Sequence, residues 1–380
     1  MGHVVKYKYV NKLVKHKHPY DVERTNQIFT EAIKENVKYH MRNCPSYNTI
    51  MEDFSFDIET VKTIDDLANI PFIPTLYLKR HKLFSIPYKK MAIKATSSGT
   101  SSGIKSQVGM TYRDLFRGFK MIRRLFSYHK LWSLKRVNYF IFGFEPTKHS
   151  NVVIMKSANG FSRVAPAKKR YYALKWDSKT NGFKLDLESL KQSLIKASKQ
   201  KNPVRTIGFP AYTYFLLKEM QEEGIKLKMA KGSLVTMGGG WKQFYAEAVD
   251  KQTFYDIVYD VLGIKEENIV EFFGAVEHPV VFPDCKYHHM HVPIYSRVLI
   301  RDPDTFEVLP YGKLGLINLL SPLNHATPLS SIMTDDLGIL HQGCPCGVKA
   351  PYLEIVGRVG IKDIVTCAQG AEEYMGEVKS

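Results

Sequence analysis

Long apolar runs are missing from this 380-residue chain. None approaches the roughly twenty residues that a helix needs to cross a bilayer. The N-terminus, rich in Lys and His, also lacks the apolar segment of a secretory signal. Cysteine is scarce and odd in number, five in all, which argues against the disulfide framework of a secreted protein. These absences together point to a cytoplasmic protein. No internal repeat or low-complexity tract breaks the sequence, and no recognised nucleic-acid motif occurs. Acidic residues are in deficit, 37 Asp and Glu against 54 Lys and Arg, for a formal charge of +17. The basic clusters at 6–17, 79–90 and 168–170 could track the phosphates of nucleic acid. However, the lysines are spread along the chain, and the aromatics fall in apolar runs such as Tyr139, Phe140, Ile141 and Phe142. A solvated basic surface is therefore the preferred reading and a nucleic-acid partner is not expected. A milder reading is attraction to an acidic protein or to acyl chains at an anionic membrane.

What is present begins with composition. At 44% hydrophobic residues the chain can bury a large core, as one big domain or two closely packed ones. Residues 95–107 then supply the most informative segment, a glycine and hydroxyl loop that ends in a lysine. Gly99 and Gly103 let backbone N–H groups turn inward. Ser97, Ser98, Thr100 and Ser101 can donate hydroxyls, and Lys105 adds a point charge. Such a loop holds polyphosphate, and ATP is the first ligand to suspect. A Walker A loop ends in a Gly-Lys pair, whereas Ile104 separates Gly103 from Lys105 here, so a P-loop kinase or GTPase is the weaker reading. Taken alone, the segment could equally be a Gly/Ser turn.

The surrounding pattern alternates strand and helix. Strand-like runs fall at 138–143, 152–155, 204–208, 233–237, 268–273 and 297–301, with helical patterns at 24–41, 186–199 and 211–223. Apolar residues at helical spacing in 24–41 are Ile28, Ala32, Ile33 and Val37. Thr111 and Asp114 form a capping-box-like start to a further helix, whose apolar face reads as Leu115, Phe119, Ile122 and Phe126. This is an α/β pattern, with mostly parallel sheets flanked by helices and ligand crevices at the carboxyl ends of strands. Gly238, Gly239 and Gly240 follow one such strand. Close backbone approach to adenine or an acyl group there competes with a plain turn.

The remaining cysteines divide by spacing. Cys344-Pro345-Cys346-Gly347 is a tight hook, and Cys285 lies upstream in a stretch that also holds His288, His289 and His291. Three thiolates and one imidazole complete a tetrahedral zinc shell, with His291 the chosen fourth ligand. Such a zinc is structural, because a full protein shell leaves no position for substrate. The competing reading makes the histidines surface residues and the cysteines buried hydrophobes. Cys44 matches no pattern.

The glycine loop resembles the phosphate-binding signature of the adenylate-forming enzymes, Ser-Ser-Gly-Thr-Thr-Gly-x-Pro-Lys. Gly99, Thr100 and Lys105 fall in register, while Ser102 and Ile104 replace its second glycine and its proline. Further segments follow in the order that superfamily uses. Phe272-Phe273-Gly274-Ala275-Val276-Glu277 is similar to its aromatic-Gly-x-Thr-Glu segment. The resemblance implies that Glu277 holds Mg²⁺ and that Phe273, beside Gly274, lies against adenine. Thr334-Asp335-Asp336-Leu337-Gly338 resembles the Thr-Gly-Asp segment and makes Asp336 the acceptor of the ribose hydroxyls. Gly357-Arg358 resembles the Gly-Arg that opens the hinge before a mobile lid.

Only 22 residues follow Arg358, so the usual lid and its lysine are expected to be missing. A truncated C-terminal region of this kind resembles the LuxE-type acyl-protein synthetases, relatives of the phenylacetate–CoA ligases. Ile70-Pro71-Phe72-Ile73-Pro74, His291-Val292-Pro293 leading to 298–303, and 353–359 carry that closer likeness, which covers most of the chain from about residue 20. Some phenylacetate–CoA ligase relatives show a similar Cys, His and Cys-x-Cys set. In the LuxE-type family a cysteine shortly after Gly-Arg-Val accepts the acyl group, and Cys367 sits in the matching place, in the surround Thr366-Cys367-Ala368-Gln369. Its thiolate would be favoured by Arg358 and Lys362 and opposed by Asp363, Glu372 and Glu373.

The organisation expected is an N-terminal portion over 1–95, an ATP- and acyl-binding core over 96–356 with a zinc module within 285–346, and a tail over 357–380 that carries Cys367. The expected reaction is ATP-dependent activation of a fatty acid to an acyl-adenylate. The acyl group then passes to a protein thiol for use by an acyl reductase, acyltransferase or carrier-protein partner. A CoA or carrier-protein ligase is the alternative.

Overall fold

A computed structural model describes residues 7–96, 106–146, 161–179, 182–241 and 247–358. The strand expected at 152–155, the loop residues Ser97, Ser98, Gly99, Thr100, Ser101, Gly103 and Lys105, and Cys367 lie outside the described residues. The chain divides into two compact units, one from within Met1–Tyr128 and Gly274–Ser380, the other His129–Phe273.

The first unit opens with three helices, α1 (Lys8–Lys15), α2 (Val22–Asn43) and α3 (Pro45–Asp53). Along α2 the buried row includes Phe29, Ala32, Ile33 and Val37, close to the expected spacing, with Phe29 rather than the half-buried Ile28 at its start. The α1 N-terminus has no side-chain cap of its own. Glu35 of α2 supplies it, accepting from the backbone N–H of Tyr9 (2.9 Å) and Val10 (3.2 Å). β1 (Ile73–Pro74) and α4 (Thr75–Arg80) follow. A two-stranded ribbon, β2 (Ile93–Thr96) with β3 (Gln107–Met110), then leads into α5 (Tyr112–Tyr128).

The capping box of α5 forms as expected: Thr111 N–H donates to Asp114 Oδ2 (2.8 Å) and Asp114 N–H to Thr111 Oγ1 (3.1 Å). The buried face of α5 differs from the expected one. It comprises Asp114, Arg117, Met121, Leu125 and Phe126, while Phe119 is exposed. A buried polar cluster overrides hydrophobic periodicity here. His325 Nδ1 lies 2.9 Å from Asp114 Oδ1 and 3.0 Å from Arg117 Nη1, and Arg117 also donates to Asn11 of α1.

The second unit has the expected parallel plan. β4 (Val137–Phe144), β5 (Ala167–Asp177), β7 (Val204–Gly208), β8 (Leu234–Gly238) and β9 (Ile269–Ala275) pair in parallel in the order β9-β8-β7-β4-β5, and β6 (Gly182–Leu185) adds an antiparallel edge. β4 is buried over seven of its eight residues, as a central parallel strand must be when it is covered on both sides. Helices α6 (Leu187–Ser198), α7 (Pro210–Glu222) and α8 (Lys251–Leu262) contribute Leu194, Leu216 and Val258 to the same core as Phe140 and Val235. Gly238 ends β8 because a Cβ there would stand 2.7 Å from the Phe272 carbonyl oxygen.

The remaining strands of the first unit are β10 (His278–Pro283), β11 (Met290–His291), β12 (Arg297–Arg301), β13 (Leu314–Leu320), β14 (Ser331–His341) and β15 (Tyr352–Arg358). Five form a sheet in the order β11-β15-β14-β13-β12, every pairing antiparallel, and β1 joins β14 in parallel. The mostly parallel expectation thus describes the second unit, and this sheet departs from it. Its strands follow one another through short connections without an intervening helix, which is the condition for antiparallel pairing.

Candidate active site and metal centre

β14 places Asp335 and Asp336 in succession, where strand pleating sends neighbouring side chains to opposite faces. Their partners differ accordingly. Asp335 accepts from Thr75 Oγ1 (2.9 Å) and pairs with Lys79 Nζ (3.5 Å), both from α4. Asp336 is paired in register with Arg358 on β15 and accepts from its Nε at 3.1 Å. Thr334 fixes the backbone between them: its hydroxyl donates to the Ile317 carbonyl (3.1 Å) and accepts from the Asp336 N–H (3.2 Å).

Glu277 lies in the turn between β9 and β10 and is buried at 6% exposure. Its Oε1 accepts from the hydroxyl of Ser106, a fully buried residue at the entrance to β3. Next in the chain, His278 is buried and within 3.0 Å of Ser296 Oγ through Nε2. Burial lowers its pKa to about 3 and keeps it neutral. The carboxyl of Asp336 is pushed above its ordinary value, first by burial. Arg358 opposes that rise, and the charges of Asp335 and Glu277 add to it. This unit therefore gathers three carboxylates, and the charges of Asp335 and Glu277 reach Asp336. Such a group suits ligands that bring positive charge or hydroxyl donors, namely a hard cation and the hydroxyls of a sugar.

The second cluster is built from sulfur. The ligand atoms of Cys285, His291, Cys344 and Cys346 all lie within 4.8 Å of one another, a set that could hold a metal ion. Cys285 Sγ and Cys344 Sγ are 3.8 Å apart. Two sulfurs about 2.3 Å from a tetrahedral zinc stand about 3.8 Å from each other. The fully buried His291 has Nδ1 3.0 Å from the Ala350 carbonyl. Since a carbonyl only accepts, Nδ1 carries the proton, and the lone pair of Nε2 faces Cys346 Sγ at 3.1 Å. Backbone N–H groups of Tyr287 and Val348 point at Cys285 and Cys346 sulfur, 3.4 Å each, and that of Cys346 at Cys344 sulfur, 3.5 Å. The chain turns out of the hook through Gly347 at φ 90°, a left-handed conformation that glycine adopts without strain. Burial and the neighbouring sulfurs push the Cys344 thiol up to about 12. The rival imidazoles do other work. His288 pairs with Asp284 at 2.8 Å, and His289 stacks on Tyr352 with ring centroids 4.0 Å apart while its Nδ1 lies 3.1 Å from Cys344 Sγ.

Among the residues expected at the site, the first unit thus brings Glu277, Asp336 and Arg358 into one group and Cys285, His291, Cys344 and Cys346 into another. Gly274 also belongs to this unit, whereas Gly239, at φ 81°, and Phe273 belong to the second. Sequence reasoning missed Ser106, Asp335 with Lys79, and a hub at Asn324. Asn324 Nδ2 donates to the Gly109 carbonyl at 3.0 Å, and Thr327 Oγ1 accepts the Gly109 N–H at 2.9 Å, so β3 is held from both sides. Their signals were faint: a serine just past the glycine loop and a second aspartate beside the expected one.

Comparison with known proteins places this geometry. The family described as acyl-protein synthetase, LuxE, matches residues 3–375. Among curated relatives, a long-chain-fatty-acid–luciferin-component ligase of Aliivibrio fischeri is 25% identical over 350 residues, covering 91% of this chain and 88% of the relative. A phenylacetate–coenzyme A ligase of Thermus thermophilus is 24% identical over 380 residues, covering 94% and 75%. Among solved structures, a 2-hydroxyisobutyryl-CoA ligase in an open conformation with 2-HIB-AMP and CoA superposes with a TM-score of 0.64. It is 15% identical, and the likeness covers 90% of this chain and 72% of that one. The fold is that of the adenylate-forming ligases, and the chain belongs to the LuxE acyl-protein synthetase family.

Proposed function

We propose that the protein uses ATP to activate a carboxylic acid, a fatty acid by preference, as the acyl-adenylate and then hands the acyl group to a thiol. The observation that carries this reading is the carboxylate group of the first unit, Glu277 held by Ser106 and Asp336 by Arg358, in a chain whose family matches residues 3–375.

A carboxylate oxygen attacks the α-phosphorus of ATP. The new P–O bond forms as the bond to the bridging oxygen breaks, and pyrophosphate leaves with that electron pair. No proton transfer is needed, so catalysis consists of positioning and charge neutralisation. Lys105 and the hydroxyls of Ser98, Thr100 and Ser101 would face the phosphates. Asp336, oriented by Arg358, would accept from the ribose hydroxyls. Glu277 fits Mg²⁺ as an oxygen donor with a neighbouring carboxylate whose repulsion a cation relieves, and the ion when bound supplies positive charge against the phosphate oxygens. In the second step a thiolate forms the thioester as AMP leaves the carbonyl carbon. Cys367 is the acceptor in this reading, with a reductase, acyltransferase or carrier protein downstream. Cys285, His291, Cys344 and Cys346 would hold a structural Zn²⁺, since four protein ligands leave no position for water or substrate.

A second reading, transfer to coenzyme A or to a carrier protein, is favoured by the 24% identity to a phenylacetate–coenzyme A ligase over 94% of this chain. Carboxylate-dependent exchange of labelled pyrophosphate into ATP tests the shared first step over short, long and aromatic acids. Absence of exchange with every acid sinks the proposal. Acyl label that stays on a Cys367→Ser protein as a thioester, or that appears on coenzyme A, moves the acceptor elsewhere.

A further inference from the structure

The outward face of α5 has a composition that the adenylation chemistry does not use. Tyr112, Phe116, Phe119 and Arg123 follow one another at helical spacing along a single row. The three rings are 80%, 59% and 59% exposed, on the side opposite the buried Asp114, Arg117, Met121 and Leu125. An exposed single aromatic is ordinary, but three successive ones on one helical row are a patch. Lys120 sits 4.3 Å over the Phe116 ring, and Arg113 is exposed beside Tyr112. The only acid on the helix, Asp114, is turned inward against His325.

The neighbouring α1, joined to α5 by the Arg117–Asn11 hydrogen bonds (3.1 and 3.3 Å), continues the theme. It exposes Lys8, Lys12 and Lys15 at positions i, i+4 and i+7 and contains no acid. The adjacent acid from α2, Glu35, is engaged by the α1 N-terminus and leaves these ammonium groups uncompensated by it.

We infer that the outward face of α5 is a docking surface for an anionic lipid bilayer, on which the rings of Tyr112, Phe116 and Phe119 enter the headgroup boundary beside the cations Arg113 and Lys120, while the acid-free α1 adds positive charge to the same unit. Charge complementarity selects the occupant: cations without acids meet a negative surface, at a gain of about fivefold in partitioning per cation near the membrane. The rings select it further. They project from a convex helix row rather than lining a groove, which is how interfacial helices present aromatics to a bilayer and unlike a stacking cleft for bases. No described helix is long and apolar enough to cross a membrane, so the contact is peripheral. The inference deepens the function proposed above, because long-chain acids partition into bilayers and a docked enzyme would meet its substrate there.

The test is co-sedimentation of the full-length protein with vesicles of phosphatidylglycerol mixed with phosphatidylcholine, against vesicles of phosphatidylcholine alone. Binding to the anionic vesicles, weakened by salt, is expected. The Phe116→Ala/Phe119→Ala variant should lose about tenfold or more in partitioning, and Arg113→Glu/Lys120→Glu should lose at least as much. Both variants should keep wild-type melting temperature and pyrophosphate exchange with a short water-soluble acid. That control separates failure of the docking surface from failure of the reaction assignment, since vesicle binding needs no turnover. Wild-type binding that is indifferent to phosphatidylglycerol, variants that bind as well as wild type, or capture by polyglutamate or RNA in place of vesicles would each overturn the inference.

Discussion

The sulfur cluster and the carboxylate cluster belong to the same unit, yet they are built on opposite principles. Around Cys285, His291, Cys344 and Cys346 the fold has supplied an outer shell as well as a candidate ligand set: the Ala350 carbonyl sets the His291 tautomer, and backbone N–H groups face the sulfurs. Around Glu277 and Asp336 it has gathered carboxylates, an excess that the proposed function assigns to a bound cation. A site that is complete without substrate serves stability. One that is electrostatically incomplete would, under the proposed function, serve turnover, since a bound cation would relieve the repulsion.

The comparison breaks most readily at the sulfur site. Structural zinc in small modules contributes on the order of 10 kcal/mol, so Cys344→Ser/Cys346→Ser is expected to lose metal and to lower the melting temperature by more than any substitution at the carboxylate site. Metal content by mass spectrometry of the native protein, before and after a strong chelator, gives the answer. A metal-free wild type that melts where the untreated protein does would remove the distinction between the clusters.

At the carboxylate site the expected losses are in rate. Glu277→Gln keeps the shape and the Ser106 contact while removing the charge. Pyrophosphate exchange should fall by about a hundredfold or more, the scale seen when one electrostatic group is lost from a preorganised site. Asp336→Asn should likewise cripple exchange, yet it should hold or raise the melting temperature of the ligand-free protein, because it removes a charge that burial and Asp335 disfavour. If both variants lower stability as the cysteine variants do, the two clusters are alike and the carboxylates are structural.

How much of this was legible in the sequence follows the same division. The gathering of Cys285, His291, Cys344 and Cys346 could be read from Cys-x-Cys-Gly and an upstream Cys and His, because the spacing that would suit a tetrahedral ion is short along the chain. The central strands could be read because burial on both faces demands continuous apolar runs, as in Tyr139 to Phe142. The antiparallel pairing of β12 to β15 was not read, because of these strands the apolar pattern marked only 297–301 and the helix-free connections between the others went unrecognised. Nor was the rotation of α5. Its phase is set by Asp114 and Arg117 meeting His325, 211 residues from Asp114 in sequence, and no local pattern records a partner at that distance. Ser106 and Lys79 were invisible for the same reason.

Acid should act on a third polar group, the hub that holds β3. His40 is fully buried, with Nε2 3.0 Å from the Asn324 carbonyl and Nδ1 2.6 Å from Ser85 Oγ. Burial lowers its pKa to about 3 against about 6.5 in an unfolded chain. The unfolded state thus binds a proton that the folded state refuses. The stability tied to this group is fully present above about pH 6.5 and is lost as pH falls towards about 3, at up to about 1.4 kcal/mol per pH unit. Denaturant titrations of wild type and His40→Gln between pH 7 and pH 4 should show a shallower slope for the variant, and equal slopes would acquit His40.

The smallest effect expected concerns the α5 N-terminus, where Thr111 and Asp114 exchange hydrogen bonds. Thr111→Ala removes one of the two and should cost about 1 kcal/mol. Asp114→Ala removes the other together with the contact to His325, and so should cost several times more, since it leaves Arg117 and His325 buried without their acid. The ratio matters more than either value. A local cap and a tertiary network share one carboxylate, and a double-mutant cycle between Asp114 and His325 reports how much of the helix's orientation depends on the distant partner. Coupling near zero would mean that hydrophobic packing alone turns α5, and that the aromatic row faces outward for some reason other than the burial of Asp114.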